Sequence, residues 1–158
     1  MVDVVSRETR SRMMSGIRSK NTKPEHVVRK ALFAAGFRFR LHRRDLPGVP
    51  DILLPGSRVA IFVHGCFWHR HRKCMYAKIP ATRSDFWRVK LESNESRDRK
   101  NIEALLASGW RVLVVWECAT RQNATGLPEA LDAWIQGSEF QGEMAGTLSH
   151  STEGCRRH

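Results

Sequence analysis

Two runs of β-branched and aromatic residues dominate the hydrophobic pattern, Val59-Ala60-Ile61-Phe62-Val63 and Trp110-Arg111-Val112-Leu113-Val114-Val115-Trp116. Both are short and nearly unbroken, which predicts strands, the second of the kind buried on both faces. A third apolar run, Ile52-Leu53-Leu54, lies between the turn residues Leu46-Pro47-Gly48-Val49-Pro50 and Pro55-Gly56-Ser57. Phe37 to Leu41 alternates apolar with Arg38 and Arg40, a strand with one basic face. The remaining apolar positions follow helical spacing. Thr22-Lys23-Pro24-Glu25 reads as a capping box with proline in the first turn, followed by the stripe Val27, Val28, Ala31, Leu32, Ala35 and a stop at Gly36. Ser84 is the expected cap of a long helix running to Gly109, with Trp87, Leu91, Ile102, Leu105 and Leu106 on its apolar stripe. Pro128 to Ile135, closed by Gly137, is the last predicted helix.

The expected order is helix, three-stranded meander, long helix, strand, helix: an α/β sandwich around a small mixed sheet. Residues 21–136 form the domain, residues 1–20 a basic arm, and 137–158, rich in Gly, Ser, Glu, Gln and Thr, an expected disordered tail.

Charge sharpens this picture. The 158 residues carry a net +11 at pH 7. Residues 1–100 hold 23 Lys and Arg against 9 Asp and Glu, whereas 101–158 hold 4 against 7. A polyanion, with nucleic acid the leading candidate, is expected to touch the first two-thirds of the chain. The N-terminal arm interleaves Arg7, Arg10, Arg12, Arg18 and Lys20 with Met13, Met14 and Ile17, a composition suited to lying on DNA with a methionine as wedge. No apolar run is long enough to span a bilayer and the N-terminus is not of signal-peptide type, so a cytoplasmic location is expected.

The candidate chemistry is concentrated after the central strand. His64, Cys66, Phe67, Trp68, His69, His71 and Cys74 fall within eleven positions. Cys66, His71 and Cys74, with Cys118 after the last strand, offer three thiols and an imidazole; they are either buried free cysteines with a histidine or a closed tetrahedral zinc site. Asp51, after Pro50, is either an ordinary turn residue or, near other carboxylates such as Glu25 and Asp98, a group that can hold magnesium against a phosphate. Glu25 already has a structural explanation as a cap. Helical spacing puts Asn94 and Asp98 on the inward face of the long helix, where an unpaired carboxylate costs several kcal/mol, roughly, unless it meets a cation. His69, in an H-x-H arrangement with His71, can face a substrate as general base. Phe67, Trp68, Phe86 and Trp87 are ordinary core if buried and stacking groups for bases if exposed.

With these residues assembled, the chain resembles the very-short-patch-repair endonucleases, which nick DNA at T:G mismatches left by deamination of 5-methylcytosine. The matching blocks are LPGVPD (46–51), IFVHGCFWH (61–69) with His71 and Cys74, IPATRSDFW (79–87) and GWRVLVVWECA (109–119), with RSRMM (10–14) a weaker match. The resemblance implies a restriction-endonuclease-like fold. It also implies that Asp51, with the main-chain carbonyl of Val63, binds the catalytic magnesium ions, two of them. His69 would be the base and His64 would assist at the phosphate; Glu25 and Asp98 would hold water of the magnesium shell. Cys66, His71, Cys74 and Cys118 match the zinc ligands. Phe67, Trp68 and Trp87 match the rings that intercalate beside the mismatch, with Met14 entering from the other groove, and Lys90 and Asn94 match positions contacting the mismatched pair. The implied partner is double-stranded DNA with a T:G mismatch, bound by a monomer, with mismatch-repair proteins as further partners. Two features depart from the pattern: Val63-His64-Gly65 stands where the wider superfamily has Glu-x-Lys, and the loop HRHRKC is one residue longer than usual in the family. Two alternatives stay open: a same-fold nuclease cutting matched DNA, and a non-catalytic zinc DNA-binding module.

Overall fold

The computed structural model describes residues 21–146. The basic arm with Met14, and residues 147–158 with Cys155, lie outside them. Four α-helices are present among the described residues: α1 (Lys23–Ala34), α2 (Ser84–Ala107), α3 (Glu117–Gln122) and α4 (Leu127–Gln136). Five strands, β1 (Arg40–Leu41), β2 (Ile52–Leu54), β3 (Val59–His64), β4 (Arg111–Trp116) and β5 (Gln141–Met144), form one sheet in that order. The first three form an antiparallel meander; β4 runs parallel to β3, and β5 parallel to β4.

Strand alternation divides the core in two. Ile52, Leu54, Val59, Ile61, Leu113 and Val115 face α1 and α4, packing on Val28, Ala31, Leu32, Leu127, Leu131 and Ile135. Leu53, Ala60, Phe62, Val112, Val114 and Trp116 face α2 through Leu105, and share that layer with Cys66 and Cys118. Covered on both faces and paired on both sides, β4 needs its unbroken apolar sequence. The capping box is as expected: Glu25 N–H donates to Thr22 Oγ1 at 3.3 Å, and Thr22 N–H to Glu25 Oε2 at 2.7 Å.

Four local expectations change. Ser84 is the first helical residue of α2, not its cap; Arg83 occupies the cap position with φ +57° and no side-chain hydrogen bond. The strand expected over 37–41 shortens to Arg40–Leu41, because Phe37 and Phe39 turn onto the core while only Arg40 and Leu41 pair with β2. The one-and-a-half-turn helix α3 is too short to show a periodic stripe, and it puts Cys118 in its first turn. The expected disordered tail holds a strand at Gln141–Met144. β5 is an edge strand held mainly by backbone pairing, so a polar composition suffices.

Arg111 anchors that edge. Its guanidinium donates to the carbonyls of Trp134, Ile135, Gly137 and Glu139 at 2.9–3.0 Å and lies over the Trp134 ring. It thereby satisfies the carbonyls left open at the C-terminus of α4 and fixes the chain entering β5. No helix among the described residues is long and apolar enough to cross a membrane.

Replacing Arg111 by Met is expected to cost about 2–3 kcal/mol of stability in urea denaturation, since several carbonyls lose a charged donor. The same change at exposed Arg88 should stay within about 0.5 kcal/mol.

Candidate functional site

The loop after β3 has little regular structure, and α2 gives it shape. Asp98 Oδ2 lies 2.5 Å from His69 Nδ1, Asn94 Nδ2 donates to the Trp68 carbonyl at 3.1 Å, and Arg70 and Arg72 pair with Glu92 and Glu95. Residues spaced by about one helical turn along one face of α2 thus hold successive residues of the loop.

A second clamp lies at the loop's other side. Ligand atoms of Cys66, His71, Cys74 and Cys118 all lie within 4.8 Å of one another. Cys118 N–H donates to Cys66 Sγ at 3.3 Å and Gly146 N–H to Cys118 Sγ at 3.2 Å. The Cys118 thiol, accepting a hydrogen bond from Cys66 and facing His71, is brought down to about 4, while the Cys66 thiol is pushed up by the same bond and by burial. Soft donors, a thiolate already favoured and backbone N–H groups aimed at sulfur fit a closed site for a metal such as zinc. His71 is also stacked on Trp116, with centroids 4.1 Å apart, which sets its ring plane.

Asp51 sits where the β2–β3 ladder stops. Ile52 pairs with Ile61, so the next hydrogen-bonding position would set Pro50 opposite Val63. Proline has no N–H to offer the Val63 carbonyl. That carbonyl is left without a ladder donor, while the Val63 N–H donates to the Asp51 carboxylate at 2.7 Å. A residue's N–H and C=O leave an extended strand on the same side, so the Val63 carbonyl points toward the same edge as Asp51. Glu25, nearly fully buried, and His42 complete the group, with ligand atoms within 4.8 Å of one another. Burial, with the Glu25 charge adding to it, pushes the Asp51 carboxyl up to about 7. Burial acts on Glu25 too, but hydrogen bonds from the Thr22 N–H, His42 and the Thr22 hydroxyl outweigh it and hold this carboxyl below its usual range. A buried pair of carboxylates that resists double ionisation, beside a main-chain carbonyl, is a donor set that fits a hard divalent cation.

The histidines form a separate group. His64 and His69 are stacked with centroids 3.8 Å apart, and His69 meets Asp98 as described. Burial, and then the charge of His69, holds His64 well below the usual imidazole range; its Nδ1 has no hydrogen-bond partner among the described residues. The sequence expectation grouped Asp98 with Glu25 and Asp51. The structure puts it with His69 instead, because α2 covers the sheet face on which His64 lies, whereas Glu25 comes from α1 on the other face. Both groups converge on the end of β3, where Val63 and His64 are consecutive. A cavity of about 730 Å³ opens beside the histidines, with His64, His69, Asp98, Ile102 and Trp116 in its wall.

Phe67, Trp68, Phe86 and Trp87 pack edge-to-face, with centroids 5.1–5.9 Å apart. None is fully buried, and Phe86 is 47% exposed. Lys90 is exposed one turn from Asn94, whose amide is engaged by Trp68 and Arg97.

Residues 2–75 match the family described as DNA mismatch endonuclease Vsr. The DNA mismatch endonuclease Vsr of Escherichia coli is 43% identical over 141 residues, covering 87% of this chain and 90% of that protein. The chain belongs to the Vsr family. It is also similar to the type II nicking enzyme V.XorIIP of Xanthomonas oryzae pv. oryzae, at 52% identity over 118 residues, 75% of this chain and 86% of the relative. For the type II nicking enzyme V.NmeAIP of Neisseria meningitidis the identity is 44% over 124 residues, 78% and 88% of the two chains. Membership places the chain in a family of DNA endonucleases, and the expected order of helix, three strands, long helix, strand and helix is observed, with α3 and β5 added to it.

Three residues in or against these groups were not singled out from sequence: His42, Trp116 and Gly146. His42 becomes visible only when β1 pairs with β2 and sets it beside Asp51, and Gly146 only when β5 closes on the sheet.

Elemental analysis should find one metal ion per chain, lost with a fall in melting temperature in Cys118→Ser and kept in Cys155→Ser. Asp51 gives a pH signature. Its folded-state pKa lies above the unfolded value, so the penalty of ionising it is absent at low pH and grows as pH rises from about 3.8 through about 7. Without added magnesium, Asp51→Asn should therefore be more stable than the unsubstituted protein at pH 8, by roughly 2–4 kcal/mol, and equal to it near pH 4. Melting curves at the two pH values check this.

Proposed function

We propose that this protein nicks one strand of duplex DNA on the 5′ side of the thymine in a T:G mismatch, by magnesium-dependent hydrolysis of the phosphodiester. The observation that carries the reading is the convergence at the end of β3 of a cation-type carboxylate group, Asp51 with Glu25, and a His69–Asp98 pair.

Asp51, the Val63 carbonyl and Glu25 would hold magnesium, which when bound supplies positive charge against the phosphate oxygens and lowers the pKa of an attacking water. His69, donating its Nδ1 proton to Asp98, presents Nε2 as the basic nitrogen. That nitrogen takes the proton of the water as it attacks phosphorus in line, and the P–O bond opposite breaks, the departing sugar oxygen taking a proton from solvent water to leave as a hydroxyl. Asp98 stabilises the imidazolium so formed. His64, stacked beneath and kept neutral by burial, adds no competing charge and can hydrogen-bond the phosphate.

Recognition falls to the partly exposed rings. A mispaired step is poorly stacked, so separating it with Phe67, Trp68 and Trp87 costs less than at a matched pair, by something like 1–2 kcal/mol. Lys90, three residues after Trp87 and four before Asn94, shares their side of α2 by helical spacing, in keeping with contact to the pair. The Cys66–His71–Cys74–Cys118 centre, with zinc as its metal, keeps the ring-bearing loop in one conformation.

Nicking of T:G and T:A duplexes tests the reading. The T:G substrate should be nicked on one strand only and much faster than T:A. His69→Ala should lose about 10²–10⁴-fold in rate. Asp51→Ala should abolish magnesium-dependent nicking. Equal cutting of both duplexes, or undiminished activity in both variants, overturns the proposal.

A further inference from the structure

We infer that His42 is a nitrogen ligand at the Asp51–Glu25 cation site, and that it biases this site toward manganese-class divalent ions over magnesium. The inference rests on the reading of Asp51 and Glu25 as the catalytic cation site.

His42 directly follows β1. Its backbone N–H donates to the Asp51 carbonyl at 3.3 Å, which ties it to the residue that starts the site. Its φ is +49°, a left-handed conformation that takes the chain out of the strand direction at this point. The imidazole ends with Nε2 3.0 Å from Glu25 Oε1, and the two side chains are 19% and 2% exposed. Two neighbouring ligands on an octahedral cation, each at about 2.1–2.2 Å, stand about 3 Å apart. The Nε2 and Oε1 atoms therefore already have the spacing of adjacent ligands, and an ion seated against both would replace their hydrogen bond. Asp51 supplies a third atom within 4.8 Å of both.

The donor type sets the preference. Magnesium takes oxygen ligands and keeps its water shell, so two carboxylates and a carbonyl suit it. An imidazole in the same shell favours later divalent ions, Mn²⁺ and beyond, along the Irving–Williams order. The second oxygen of Glu25 is held by the Thr22 N–H, so the carboxylate presents Oε1 to the side on which His42 stands.

The experiment is direct binding of Mn²⁺ and Mg²⁺ to the full-length protein by calorimetry, with pulsed electron paramagnetic resonance of bound Mn²⁺ to detect ¹⁴N coupling. The unsubstituted protein should bind Mn²⁺ roughly tenfold more tightly than Mg²⁺ and show the nitrogen coupling. Both should be retained in His69→Ala, which excludes the histidine pair as its source. His42→Leu should lose the coupling. His42→Gln keeps a donor for Glu25 but replaces nitrogen by an oxygen ligand, and should lose the coupling and bring the Mn²⁺ preference down severalfold. Absence of coupling in the unsubstituted protein, or a preference unchanged in His42→Gln, shows that His42 only hydrogen-bonds Glu25 and overturns the inference. Asp51→Asn separates the two levels. Unchanged Mn²⁺ binding there removes the cation site itself, and with it the proposed function, whereas loss of binding there without nitrogen coupling in the unsubstituted protein removes only the role of His42.

Discussion

The site depends on the hydrogen bond from the Val63 N–H to the Asp51 carboxylate. Pro50 has no N–H with which to extend the β2–β3 ladder, and a side chain stands in for a strand carbonyl at the Val63 N–H. The substitution ends the strand pairing and fixes a carboxylate at that end. It also leaves a main-chain carbonyl aimed at the same edge. The next residue, His64, lies on the opposite face of the strand, so one strand end serves two layers of the molecule.

Those layers bring different chemistry. On the α1 side, Glu25 is at once the partner in a capping box and a member of the Asp51 group, so the start of a helix and that buried polar group share one carboxylate. On the α2 side, the helix carries little buried apolar surface; Leu91 and Leu105 are its only buried residues. Its loop-facing side instead carries Asn94, Glu95 and Asp98, with Glu92 at the exposed rim, and these hold the loop 65–74 by its backbone, arginines and His69. A helix whose inner face is spent on polar clamps gives up hydrophobic stabilisation for control over loop geometry.

The Cys–His group adds what the clamps lack. It ties the loop to the first turn of α3 and, through the Gly146 N–H, to the end of β5. The edge strand that Arg111 fixes is therefore coupled to the loop bearing the aromatic rings.

Much of this was legible in the chain. Continuous apolar runs, capping residues and the turn before Asp51 determined the order of elements, and the crowding of histidines, cysteines and aromatics after β3 marked where the chemistry lies. The inward placement of Asp98 followed from helical spacing alone. What the chain could not show were groupings between elements distant in sequence. Its carboxylates read as one cluster, but they divide between the two faces of the sheet, and only packing of α1 and α2 decides which goes where. β5 escaped notice because an edge strand lives on backbone hydrogen bonds, which leave no hydrophobic signature, and α3 because six residues are too few for a period. Nothing in the chain around His42 sets it apart. Its neighbours, Glu25 and Asp51, are brought to it by a helix cap and a strand register, and such proximity arises only when the whole sheet has formed.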